Sequence, residues 1–454
     1  MHQVSRIFLS ALGTLFLVAG AQAQYVEATI TVGNAPSAIV YDSIDRRVFV
    51  ANNGSNSVSV INPESNTVSA TVTITNPPVA AVWNPTNNRV YVACAPMASP
   101  GTVAVIDAAY AQLLDEIGVG TEPVALAWHP GYNKLYCLNR ADNSLTVIDC
   151  SNNQVITQID LIDQIPNELT YNPANGFIYV ANGAYHQNSK VRVIDCSADT
   201  ILTTVTVQQS AWSFAVNLTS NRVFIANRLS NSVSVVNGAT NTLIATIATQ
   251  QEPKPLLWIP TNKLFVGEYW NNSVAFMHGD STRLPSRLSI TSSPNTMLYA
   301  PLTERVYCTN YLGGLVSLID ARDGQERVIA ELPTGGGPNA MSYYPDQRRV
   351  YIANFWENTV TVIKDVTGIA EEPRLTPNST LLGLRALPNP VPSGNLVSFQ
   401  VTGFEPDRLI VRDIGGRVVY AGAPQAWRVR SPGIYFCSMA GATGAQATCK
   451  VVAQ

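Results

Sequence analysis

The chain has 454 residues, of which 46% are apolar and only 13% charged, and its net charge is −3. So weak a charge excludes the electrostatic footprint of a nucleic-acid binder, while the apolar share is ample for burial. The length exceeds one ordinary core and suits a large repeat array with a smaller domain after it.

Residues 1–23 read as a secretory leader. His2 and Arg6 give a short polar start, an apolar stretch runs from Ile7 to Gly20, and Ala21-Gln22-Ala23 offers a cleavage site that leaves Gln24 first. That stretch is too short to span a bilayer, and no later segment is apolar enough. The expected product has no transmembrane segment and is secreted or held at the outer cell surface.

Residues 24–366 repeat. A hairpin of two apolar runs around a polar turn, such as Val48-Phe49-Val50-Ala51-Asn52-Asn53-Gly54-Ser55-Asn56-Ser57-Val58, occurs eight times at intervals of 41 to 45 residues. Each unit has a Pro-bearing loop, an inner strand, a hairpin and a more alternating fourth strand. Four antiparallel strands at this period describe a β-propeller blade. The last unit has a third strand at Val360 to Ile363 but no fourth, whereas the chain opens on an unpaired fourth strand, Tyr25 to Val32. Pairing the two closes the ring and removes an open edge. The expected fold is all-β, a closed propeller of eight four-stranded blades. The alternative is seven, should the weak sixth unit around Leu264 not form a blade.

The strand-to-turn segments Tyr179-Val180-Ala181-Asn182, Phe224-Ile225-Ala226-Asn227 and Tyr351-Ile352-Ala353-Asn354 resemble the YVTN-type β-propeller family over about residues 25 to 366. The resemblance implies an exported or surface propeller, and that family carries no single activity.

A basic residue precedes the second strand in seven units, as at Arg89, Lys134 and Arg305, and Asp often ends the third, as at Asp107, Asp149 and Asp320. The constant offset places them side by side, so a rim of cross-strand ion pairs within each blade is expected. Cys137 and Cys308 take the place of Val50 and read as small core residues.

Chemistry is sparse. Of the histidines after the leader, His129, His186 and His278, each lies in a different unit, which argues against a His-built copper or zinc centre. No nucleophile elbow, phosphate loop, cofactor motif or metal-ligand pattern is present, and no catalytic residue is assigned. A lactonase-like metal hydrolase would need several inward carboxylates, and only Glu168 and Glu268 stand near the right place. The asymmetric feature is the turn between second and third strands. Asn53-Gly54, Arg140-Ala141 and Arg228-Leu229 in earlier units give way to Tyr269-Trp270, Tyr311-Leu312 and Phe355-Trp356 in the last three. Tyr185 and His186 fall in the longer turn of the fourth unit, Trp212 in a strand-linking loop, and Glu268 replaces the usual Asn before the turn. These aromatics either bind a protein or glycan ligand or fold inward to plug the channel mouth.

From 367 to 387 the repeat gives way to a Pro- and Thr-bearing linker. Residues 388–454 then read as a small immunoglobulin-like β-sandwich of alternating strands. The ordered markers Asn389-Pro390, Asp413-Ile414-Gly415-Gly416-Arg417, Pro432-Gly433-Ile434-Tyr435-Phe436 and Lys450-Val451-Val452 resemble the C-terminal sorting domain of type IX secretion cargo. This resemblance implies secretion machinery as a partner, although the chain ends Ala453-Gln454 without a further basic residue. Cys437 and Cys449 are placed to face each other across a hairpin, a possible disulfide. Three functions stay open: a non-enzymatic binding or adhesion scaffold, the hydrolase, and a purely structural envelope protein.

Overall fold

The computed structural model describes residues 24–366 except 163–164, 184–186, 280, 282 and 285. Beyond 382 it describes the strands named below with a few flanking residues. The leader, most of the linker and the Asn389-Pro390 marker fall outside the described residues. The chain divides into two units, residues 1–369 and 370–454.

Eight antiparallel four-stranded sheets form the first unit. In blade 1 the strands, lettered a to d from the ring's centre outward, are Pro36–Asp42, Arg47–Asn52, Ser57–Asn62 and Thr67–Thr73. Strands b and c are rich in β-branched residues and are buried on both faces, because each sheet is covered by its two neighbours. Val48, Phe49, Val50, Val60 and Ile61 have no exposed surface. Strand a keeps partial exposure along its length, as expected of a wall lining a central channel.

The a strands neighbour one another in one unbroken cycle from blade 1 to blade 8 and back. The leading strand, Tyr25–Thr31, is the d strand of blade 8 and pairs antiparallel with Thr359–Lys364, Thr29 opposite Thr361. Blade 6 is complete: Pro253–Ile259, Lys263–Glu268, Ser273–His278 and a short d strand, Ser286–Ser289. The count is therefore eight. Its weak sequence signal reflects that four-residue edge.

Four of the b–c turns share one device. Buried Asn52 donates from Nδ2 to Ser57 Oγ at 3.2 Å and Ser59 Oγ at 3.0 Å, and Asn139, Asn227 and Asn354 repeat the pattern. Asn56, Asn143, Asn231 and Asn272 hold φ between 46° and 50°, the left-handed region that Asn tolerates.

The ion-pair expectation is corrected. Lys134 does sit opposite Asp149 and Arg305 opposite Asp320, as the offset requires. Yet Lys134 Nζ reaches Asp199 Oδ2 of the next blade at 2.7 Å, and Arg305 reaches Asp365 Oδ1 at 3.0 Å. Asp149 instead accepts from Ser151 in its own turn. Buried tyrosines double these latches: Tyr136 OH donates to Asp199 and Tyr307 OH to Asp365, both at 2.7 Å, and Tyr351 OH to Asn66 at 3.0 Å across the closing seam. A long side chain on the blade's face points toward the neighbouring sheet, where an acceptor rewards burying its head. His129 follows the same logic. It ends strand a of blade 3 almost fully buried, with Nδ1 accepting from Tyr132 N and Nε2 bonded to Gly176 O.

The second unit holds two sheets. One comprises Gly383–Leu387, Leu396–Thr402 and Ala426–Arg428. The other comprises Val418–Gly422, Arg408–Asp413, Gly433–Ala440 and Gln446–Ala453. Buried Trp427 and Tyr435, one from each sheet, meet with ring centroids 4.8 Å apart. The strand Gly383–Leu387 lies inside the stretch expected to be linker. Its Leu-Arg-Ala-Leu alternation is masked by the Pro- and Thr-rich residues before it. Cys437 is register partner to Cys449, whose side chain is outside the described residues.

Candidate functional site

On one face of the ring, the b–c turns meet the loops joining strand d of one blade to strand a of the next. Backbone hydrogen bonds bind the two together. Asn53 N donates to Ala35 O at 2.9 Å in blade 1, and Tyr269 N to Glu252 O, Tyr311 N to Ser293 O and Phe355 N to Gly337 O at 3.0–3.1 Å in blades 6 to 8.

Blades 6 to 8 place their aromatics together on this rim. Tyr269 and Trp270 occupy a 3-10 turn and pack edge to face, centroids 5.0 Å apart. Tyr311 and Trp356 form a second such pair at 4.9 Å, across two blades. Burial, with a further push from Tyr269, raises the Tyr311 hydroxyl pKa. Each contact contributes about 1 kcal/mol beyond area. Trp270 and Trp356 stay open to solvent, 56% and 53% exposed, while Tyr269 and Tyr311 are half-buried. The Trp356 indole lies on Gly336 and Gly337. A Cβ at Gly337 would come within 3.0 Å of its Cδ2, and Gly337 itself holds φ 68°. Glycine is required there twice over, by close approach and by conformation. Phe355 is half-buried beside this pair.

Two expected site residues sit elsewhere. Glu268 is fully buried beneath the rim, where its carboxylate accepts from Ser273 Oγ at 2.7 Å, Gln250 N at 2.8 Å and Arg287 Nε at 3.1 Å. It takes the place of the Asn of other blades with the bond reversed, accepting from the hydroxyl to which Asn donates, and Arg287 supplies the counter-charge. Trp212 belongs to strand a of blade 5, Ala211–Asn217, where an early bulge obscures the alternation. The Arg228 guanidinium lies over its ring at 5.0 Å and pairs with Glu252 at 2.7 Å. Tyr185 and His186 fall outside the described residues.

Sequence reasoning missed Lys254. It is the second residue of strand a in blade 6, where other blades carry Ser37, Val79, Val124, Asn167, Trp212, Asn295 and Asn339. Its ammonium lies over the Tyr269 ring at 5.3 Å and donates to Asn295 Oδ1 of blade 7 at 2.8 Å. Burial, with a further push from Arg228, draws it below the ordinary lysine range. The unmatched charge at that repeat position was the available signal.

Two other clusters bear on chemistry. Glu168, on strand a of blade 4, accepts from Leu169 N, and burial pushes its pKa to about 7. It is enclosed by protein yet retains some open surface, as a group on the channel wall would. His278, Asp323 and Glu326 bring ligand atoms within 4.8 Å of one another at the blade 6–7 junction. The Lys263 ammonium already fills that cluster, 2.8 Å from Asp323 and 2.7 Å from Glu326, with Ala321 O as a further acceptor. The cation such a set would attract is supplied by the chain, so these donors form an inter-blade latch like the others.

No family model and no curated protein matches the chain. Among solved structures, it is similar to Kuenenia stuttgartiensis hydrazine synthase with a TM-score of 0.51 and 20% identity, over 74% of this chain and 96% of that one. The likeness is one of fold.

Proposed function

We propose that the protein is an exported, non-enzymatic binding scaffold whose ligand is a glycan lying across the rim of blades 6 to 8. The observation that carries this reading is Trp356, fixed from below by Gly336 and Gly337 and from the side by Tyr311, with more than half its surface left open. A ring held in place before binding loses little side-chain entropy on contact. Its electron-rich face suits the C–H face of a sugar ring. A peptide finds less here: its usual modes need a free strand edge or an apolar groove. This rim consists of turns whose amides are already bonded to the adjoining loops.

The leader at residues 1–23 and the C-terminal resemblance support delivery to the cell exterior, with the second unit as the sorting element. Binding to a glycan array tests the central reading. Trp356→Ala and Trp270→Ala are each expected to lower apparent affinity at least tenfold, about 1.4 kcal/mol, while the melting curve stays cooperative and shifts by no more than a few degrees. Binding unaltered by both, or no glycan bound, rejects it in favour of a structural envelope role.

A further inference from the structure

We infer that the glycan carries carboxylates, and that a uronate docks on Lys254 where the aromatic rim meets the channel mouth. The inference rests on the glycan reading above and adds charge to it. Three observations support it. Lys254 lies against the platform itself, its ammonium 5.3 Å from the centroid of the Tyr269 ring, which in turn packs on Trp270. Its hydrogen-bond partner is the neutral amide of Asn295, and the carboxylate that acts on it, Glu252, is committed to Arg228. The strand position is wholly uncharged in the other seven blades, so the cation is particular to the blade that begins the aromatic arc.

Summed over this corner of the mouth, Arg228 and Lys254 face one carboxylate, leaving an excess positive charge half-shielded from water. A half-buried ammonium bonded only to an amide is short of counter-charge, and an incoming carboxylate supplies a charge-assisted bond. A pyranose stacked on a rim ring projects its C6 substituent to one side. A uronic acid therefore presents both features that the site offers to receive, a C–H face and an anion.

The test uses the full mature chain with polygalacturonate, its fully methyl-esterified form and neutral dextran, measured by titration calorimetry at low and high salt. Polygalacturonate should bind at least tenfold more tightly than the ester, and the preference should shrink with salt. Lys254→Met should abolish the preference while leaving ester binding, and Lys254→Arg should preserve it; melting curves establish that both variants fold. Equal binding of acid and ester, with Trp356→Ala weakening both, overturns the carboxylate while the glycan reading survives. A preference that persists in Lys254→Met overturns the role of this residue. No binding to any of the three rejects the inference, and a neutral-glycan hit elsewhere on an array would then keep the broader reading.

Discussion

Blades 1 and 6 carry the same turn with opposite surfaces. Both b–c turns are three-residue 3-10 segments, Asn53–Ser55 and Tyr269–Asn271. Both are entered at φ near −105° and left through an Asn at φ 46° or 49°, Asn56 or Asn272. Their backbones are interchangeable, yet one displays Asn-Gly and the other Tyr-Trp. The left-handed Asn and the strands on either side determine the shape, so the two positions between them can vary: Asn53 donates from Nδ2 to Pro78 O of blade 2 at 3.0 Å, whereas Tyr269 and Trp270 pack on each other. Function can accumulate at such positions without disturbing the ring.

The sharpest break of that comparison cuts the frame instead of the turn. Deleting residues 25–31 strips blade 8 of its outer strand and exposes the edge of Thr359–Lys364. The melting temperature should fall by more than about 10 °C, or the protein should aggregate, as followed by circular dichroism and light scattering. Next comes the graft. Tyr269→Asn with Trp270→Gly gives blade 6 the turn of blade 1; chemical denaturation should register within about 1 kcal/mol of the parent, while ligand binding falls at least tenfold.

A third change probes the support below the turn. Glu268→Asn restores the commoner residue but leaves Arg287 without its carboxylate, and should cost about 2 kcal/mol in a denaturant titration. Adding Ala275→Ser and Arg287→Thr, which rebuild the other blades' bonding, should recover most of it. The smallest effect concerns the channel. Glu168 ionises near 7 in the folded protein against 4.5 ordinarily, so the folded state holds that proton more tightly. Its stability is greatest below pH 4.5 and is lost as the pH rises through 7. Glu168→Gln should therefore raise the melting temperature by about 2 °C at pH 8 and leave it unchanged at pH 4.

The sequence carried what repeats. Blade count, ring closure and the register of Lys134 against Asp149 follow from period and alternation, because backbone pairing sets both. The Asn-Ser turns and the clustering of Tyr269, Tyr311 and Trp356 follow from aligning units. What escaped lies between blades. Period says which residues share a sheet, not which neighbouring sheet a lysine reaches, so it pairs Lys134 with Asp149 and is blind to Asp199. Glu268 stood out as an exception, and only its three partners reveal that it is buried support. Lys254 was legible as an odd residue in its column, but its nearness to Tyr269 depends on how adjacent blades tilt.

The seam of the ring has one further consequence. Gln24 Nε2 donates to Val366 O at 2.9 Å, so the first and last residues of the propeller lie side by side. A ribosome must therefore finish all eight sheets before the opening strand finds its mate. Joining the two ends and reopening the chain between blades 3 and 4 should give a circular permutant that shuts with four strands of consecutive sequence in every sheet.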